Sequence, residues 1–277
     1  VTQHTMAAFL TPEGFSQPSV SAVLREGSVV TEVGRYAVQA LSTRGTRRRT
    51  PYGARPTRAS EPVLLVPGFL AGDSSLGLMS RTLRQQGFRT YRADIRANVG
   101  CTLAAAAQLE ERLEELTQRR GSRVRLVGHS LGGMLARGVA ARRPDLVAGI
   151  VTMGSPMLAP GAHHASLARS VDLLVRLNRA GMRNLMAEDC VAGRCAQESF
   201  AQARAALPEG VDFTAIYSRR DGIVDWRACV DPAARAVEVR SSHVGMAFDP
   251  AVIAAVSAAL RPPVRSSVVE VDRGEIA

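Results

Sequence analysis

The chain has 277 residues, 46% of them hydrophobic and 22% charged, enough to bury a sizeable core as one main domain with an inserted subdomain. Its formal net charge is +10, but all 35 basic residues are arginine, a bias that GC-rich codon usage explains better than a nucleic-acid-binding surface does. No apolar run reaches the ~18–20 residues that a membrane-crossing helix needs, and no charged-then-apolar signal segment stands at the start. On the given chain this favours a cytoplasmic protein, with export left open by processing upstream of Val1.

Residues 1–19 are polar, punctuated by Pro and Gly, and expected to order only by docking. From Ser19 to Leu41 apolar positions recur near helical spacing, with Gly27 and Gly34 as interruptions, so one or two helices are expected to pack on the main domain. Residues 42–60 read as an Arg-rich linker. Its densest run, Arg44 to Arg49, lacks interleaved aromatics and reads as a solvated connector, with an anionic-surface contact as the alternative and no nucleic-acid partner expected.

The main domain is expected over 61–260. It opens with Val63-Leu64-Leu65-Val66, a continuous apolar run suited to a strand buried on both faces. Helical spacing follows at Leu76, Met79 and Leu83, then a strand at 88–91 and a helix from Leu103 to Thr117. Next come the strand beginning at Val124 and the helix after it, then a buried strand over 148–153. Strands alternating with helices predict an α/β, doubly wound, mostly parallel sheet with right-handed crossovers. Residues 157–211 carry no strand signal but hold a long amphipathic pattern from Leu167 to Met186. They read as a helical cap or lid insertion, or else as a helical hairpin completing the core. Strands resume at 212–217 and 236–240, a closing helix spans about 250–260, and 261–277 form a charged tail.

Val124 to Met134 carries the clearest chemistry. An apolar strand enters Gly128-His129-Ser130-Leu131-Gly132 and a helical pattern leaves it, so the turn between them must be sharp. Such a turn strains the backbone at its tip, needs glycine neighbours for clearance, and exposes the Ser130 hydroxyl. It also sets the Leu131 N–H at a helix start, where developing negative charge is favoured.

With Val-Pro-Gly-Phe-Leu at 66–70, Gly-His-Ser-Leu-Gly-Gly at 128–133, Arg-Asp-Gly-Ile-Val at 220–224 and Ser-His-Val-Gly-Met at 242–246, the chain resembles the α/β-hydrolase superfamily in its bacterial lipase/esterase branch. The resemblance covers about 61–260, and the motifs fall in the family's order of Ser, Asp, His. It implies the α/β-hydrolase fold with a cap, and a catalytic triad of Ser130, Asp221 and His243. Asp225, beside Trp226, and Asp94 are the rival acids. It implies an oxyanion hole from the backbone N–H groups of Phe69 and Leu131, with Leu70 as the alternative to Phe69. Pro67 stands where many lipases carry a histidine, which removes any side-chain role there. His129 sits in the elbow but cannot reach back to its neighbour's hydroxyl, and His163 and His164 are expected to be solvated.

The implied function is a serine hydrolase cleaving carboxylic esters, lipid-like ones given the apolar insertion, with lipid-surface contact through the cap. An acyltransferase using the same triad and a non-catalytic binding protein are the alternatives. No cofactor is expected. Of the four cysteines, Cys101, Cys190, Cys195 and Cys229 match no zinc spacing, so no metal site is expected, and a loop disulfide between Cys190 and Cys195 is the pairing that spacing allows.

Overall fold

The computed structural model describes residues 6–32, 34–35, 38 and 61–261. The Arg-rich linker, with Arg44 to Arg49, and the tail beyond 261 lie outside the described residues. Six strands, β1 (Val63–Val66), β2 (Thr90–Arg92), β3 (Val124–His129), β4 (Val147–Met153), β5 (Asp212–Tyr217) and β6 (Arg235–Glu238), form one sheet. Its order is β2-β1-β3-β4-β5-β6 and every pairing is parallel. The chain leaves β1 toward one edge and returns through β3 toward the other. The crevice between β1 and β3 is therefore the topological switch point, where ligands of such sheets bind at the carboxyl ends.

Alternation along the strands explains why both faces are covered. Leu64, Val66, Leu126 and Ile150 pack on one face with α2 (Thr102–Arg120) and α3 (Leu131–Arg142), while Val63, Leu65, Val127 and Val151 pack on the other with α1 (Gly77–Gln85) and α7 (Pro250–Ala259). In α2, Leu109, Leu113 and Leu116 recur at helical spacing and are fully buried. Each such side chain contributes roughly 1.5–3 kcal/mol. Gly121, left-handed at φ 67°, ends the helix as its C-cap.

The insertion after β4 has α4 (Ala165–Arg179), α5 (Asp189–Ala192) and α6 (Arg194–Arg204), without a strand. It divides the two readings offered by the sequence. Helix α6 docks on the core, where Arg137 donates to the Ala205 carbonyl at 2.7 Å and Arg142 bonds Gln202. Helix α4 and the following loop instead form a small apolar cluster of their own, Val171, Leu174, Val175, Met186 and Val191, against which Phe69 packs. That portion caps the carboxyl end of β1. The N-terminal segment is docked too: Ala7 N–H donates to Val191 O at 3.0 Å, and Gly161 N–H to Leu10 O at 2.7 Å.

Candidate active site

Ser130 stands between β3 and α3 with φ 52° and ψ −123°, a conformation costly for a residue with a side chain, about 1–3 kcal/mol. It persists because its surroundings allow nothing else. A Cβ on Gly128 would lie 2.4 Å from the Gly133 Cα, and one on Gly132 would lie 2.3 Å from the Val66 carbonyl oxygen. The elbow is thus pressed against the end of β1. Ser130 N–H donates to Met153 O at 2.8 Å, tying the tip to β4.

The next residue on β4's side, Gly154, faces the second half of the site. A Cβ there would sit 3.1 Å from His243 Nδ1 and 3.3 Å from Asp221 Oδ2. Asp221 follows β5 and His243 follows β6, and the two are joined by an Nδ1···Oδ2 hydrogen bond of 2.7 Å, buried at 3% and 5% exposure. The other Asp221 oxygen accepts the N–H groups of Ile223 and Val224, both at 2.9 Å, which fixes the carboxylate plane. Burial opposes charging His243, but Asp221 and Glu26 outweigh it and raise its pKa above the ordinary histidine value.

The rival acids are engaged elsewhere. Asp225 caps the 3-10 helix Trp226–Cys229 through the Arg227 N–H, pairs with the Arg227 guanidinium and accepts Ser16 N–H. Asp94 is exposed and pairs with Arg112 at 3.1 Å.

On the other side of the elbow, the loop after β1 is clamped by Asn98. Its side-chain Nδ2 donates to Pro67 O at 3.0 Å, and its carbonyl accepts Leu70 N–H at 3.1 Å. Leu70 N–H is thereby occupied. The N–H groups of Phe69 and Leu131 donate to no backbone carbonyl among the described residues, and both residues line the same cavity as Ser130. That cavity is walled by Met134, Val224, Leu167 and Val171 and closed from the N-terminal side by Met6 and Leu10, so its lining is almost wholly apolar.

Three supports escaped the sequence reading. Glu26, on the N-terminal 3-10 helix Val20–Ser28, accepts Gly222 N–H and His243 N–H at 2.9 Å each through Oε1, and Val244 N–H at 3.2 Å through Oε2. Glu32, 1% exposed, accepts the N–H and the hydroxyl of Ser242. His129 places Nε2 3.0 Å from His243 O, so Nε2 carries the proton. Burial, with the nearby His243, lowers its pKa to about 4 and keeps it neutral. An acidic pair six residues apart on a helix predicts no partner, which is why no sequence signal marked Glu26 and Glu32. The expectation for His163 and His164 is corrected: both are buried, His163 in the cavity wall against Met6 and His164 as the N-cap of α4. Met6 of the N-terminal segment against His163, and the Ile223–Val224 loop that bridges to His163 and accepts His164 N–H, exclude solvent from them.

The cysteines also depart from expectation. Cys195 Sγ lies 3.7 Å from Cys190 Sγ but 3.4 Å from Cys101 Sγ, and all four thiols are free. The third partner comes from a residue 94 positions away, invisible to a spacing argument.

Residues 61–209, more than half of the sequence, match the model of the alpha/beta hydrolase fold family. The chain belongs to the α/β-hydrolase fold family. Within this hydrolase family, it is 32% identical over 121 residues to a triacylglycerol lipase of Vibrio cholerae, covering 42% of this chain and 38% of that protein. It is 28% identical over 138 residues to a cutinase of Thermobifida cellulosilytica, covering 47% of this chain and 53% of the other. The chain thus matches about half or less of the length of these curated relatives. Among solved structures it is similar to a mature Bacillus licheniformis lipase, with a TM-score of 0.60 at 16% identity over 77% of this chain and 96% of that one. A metagenomic carboxyl esterase gives 0.53 at 17% identity, over 76% of this chain and 78% of the other. At these identities the structural likeness speaks for the hydrolase fold.

Proposed function

We propose that this α/β-hydrolase is a carboxylic ester hydrolase of lipase or esterase type that works through an acyl-enzyme on Ser130. The observation that carries the reading is the buried Asp221–His243 pair, ordered on the loops after β5 and β6, in the same structure as a strained, buried serine that lines an apolar cavity. The relatives named as triacylglycerol lipase and cutinase support the same class.

In this reading the Ser130 hydroxyl attacks the ester carbonyl while His243, through Nε2, takes its proton. Asp221 holds the Nδ1–H and stabilises the imidazolium. The oxyanion is received by the Phe69 and Leu131 N–H groups, whose freedom from backbone acceptors suits them to it, and the Leu131 group gains from the start of α3. His243 then returns the proton to the departing alcohol. Water repeats the sequence on the acyl-enzyme and frees the acid.

The cavity lining favours an acyl chain over a charged substrate. Lipid-surface contact is supported by the outer face of the cap, where Leu173 and Met182 are more than half exposed. The test is a p-nitrophenyl ester series of rising chain length, assayed below and above the micellar concentration with wild type and Ser130→Ala. The variant is expected to lose at least about a thousandfold in rate, since removal of a triad member leaves only oxyanion and binding effects. Equal turnover by Ser130→Ala would refute the nucleophile, and equal wild-type rates on both sides of the micellar concentration would refute the surface contact.

A further inference from the structure

Three thiols meet where the cap joins the core. Cys101 immediately precedes α2 on the core side and Cys195 lies in α6, the helix of the insertion that docks on the core, while Cys190 in α5 packs with the cap cluster. Cys195 Sγ is 3.4 Å from Cys101 Sγ and 3.7 Å from Cys190 Sγ, and the three sulfurs lie within 4.8 Å of one another. A metal–sulfur bond of about 2.3 Å sets sulfurs about 3.8 Å apart around a tetrahedral ion and about 4.0 Å apart around a trigonal one. The triangle therefore has the dimensions of one coordination sphere.

From this geometry we propose that Cys101, Cys190 and Cys195 form a binding site for a single thiophilic d10 cation of the zinc(II) or copper(I) class. Sulfur-only ligation selects such soft or borderline ions over magnesium or calcium. Among the described residues no fourth Cys, His, Asp or Glu joins the group, and the nearby Asp189 carboxylate is tied to the N–H groups of Arg194 and Cys195, at 2.9 and 3.2 Å. A tetrahedral ion would complete its shell with an exogenous ligand.

Burial opposes ionisation of Cys101, but the N–H groups of Ala104 and Leu103 and the neighbouring thiols outweigh it and lower its pKa. Cys195 is pushed up to about 12 by burial and by both neighbours. A divalent ion forming three metal–sulfur bonds displaces the proton of each thiol that it binds, so affinity rises with pH.

The site would fasten the cap to the core at the cavity wall. Cys190 lines the cavity, as does Thr102, the residue after Cys101, whose buried hydroxyl has no partner. Occupancy would thus stiffen one wall of the substrate chamber independently of the chemistry at Ser130.

Cadmium(II) is the probe, because its thiolate complexes absorb in the ultraviolet. The reduced full chain, handled without oxygen, should bind one Cd2+ with a sharp break at one equivalent, release protons, and unfold at higher temperature. Cys101→Ser and Cys195→Ser should weaken binding at least about tenfold and abolish the thermal shift, whereas Cys229→Ser, a buried thiol outside the cluster, should bind as wild type. If either core variant fails to fold, Cys190→Ser, on a partly exposed thiol, makes the same comparison. Failure to bind Cd2+, binding that Cys229→Ser weakens as much as Cys101→Ser does, or isolation of the native chain with a reductant-resistant disulfide within the cluster would overturn the proposal.

Discussion

Replacing Glu26 by glutamine is expected to slow ester turnover about tenfold and to move the acid limb of the pH–rate profile to lower pH. The residue does not line the apolar cavity, but its carboxylate joins the loop that bears Asp221 to the loop that bears His243. Glutamine can keep its oxygen on Gly222 and His243 N–H, and its amide then faces Val244 N–H, whose 3.2 Å bond is lost. Charge-assisted hydrogen bonds are worth roughly 1.5–3 kcal/mol and neutral ones about 0.5–1.5, so two weakened bonds and one lost come to ~4 kcal/mol in full burial and, at this partly exposed residue, to about half of that, ~2 kcal/mol. Part of this loosens the docked N-terminal segment in ground and transition states alike. The remainder, about 1.4 kcal/mol, is a factor of about ten in kcat/KM.

The direction of the pH shift follows from His243. Burial disfavours its imidazolium, while Asp221 and Glu26 favour it more strongly and raise the pKa. In the proposed mechanism the base must be neutral to accept the Ser130 proton, so activity is expected to rise as pH passes upward through that raised value. Removing the Glu26 charge lowers the pKa and lets the variant reach its plateau at lower pH. The assay is kcat/KM on p-nitrophenyl butyrate from about pH 5 to about pH 9, with thermal unfolding measured alongside. A folded variant with wild-type rate and an unmoved limb would refute the brace, and a limb displaced upward would refute the electrostatics.

Gly132→Ala should abolish soluble expression or lower stability by more than about 3 kcal/mol, because its Cβ would sit 2.3 Å from the Val66 carbonyl oxygen, where neither β1 nor α3 can give. Chemical denaturation checks this, and a variant within about 1 kcal/mol of wild type would show that the elbow is looser than described. Arg137 and Asp231 form a buried pair at 3.3 Å, the guanidinium also donating to Ala205 O. Arg137→Met alone should cost about 3–5 kcal/mol by stranding Asp231, and pairing it with Asp231→Leu should recover most of that. A double variant no better than the single one would mean that the Ala205 contact, rather than the ion pair, holds α6 to the core.

What the sequence disclosed and what it withheld divide along a physical line. Local pattern sufficed wherever one segment fixes its own geometry: the apolar β1, the elbow around Ser130, the periodic α2, and the Asp221 and His243 loops at strand ends all lie where their patterns indicate. Signals failed wherever a group acts through a partner far along the chain. Glu26 and Glu32 meet the His243 loop across more than two hundred residues, and Cys101 meets Cys195 across 94. The sequence sets an extension of helices that pack on the hydrolase domain ahead of an Arg-rich linker, without indicating what they touch. The hydrogen bonds supply that. Gly222, Ser242, His243 and Val244 offer their N–H groups to carboxylates on that extension, and a buried N–H left without an acceptor costs about 1–3 kcal/mol. The extension is therefore part of the frame that orients Asp221 and His243, so the hydrolase core defined by sequence matching is smaller than the unit that holds the site together.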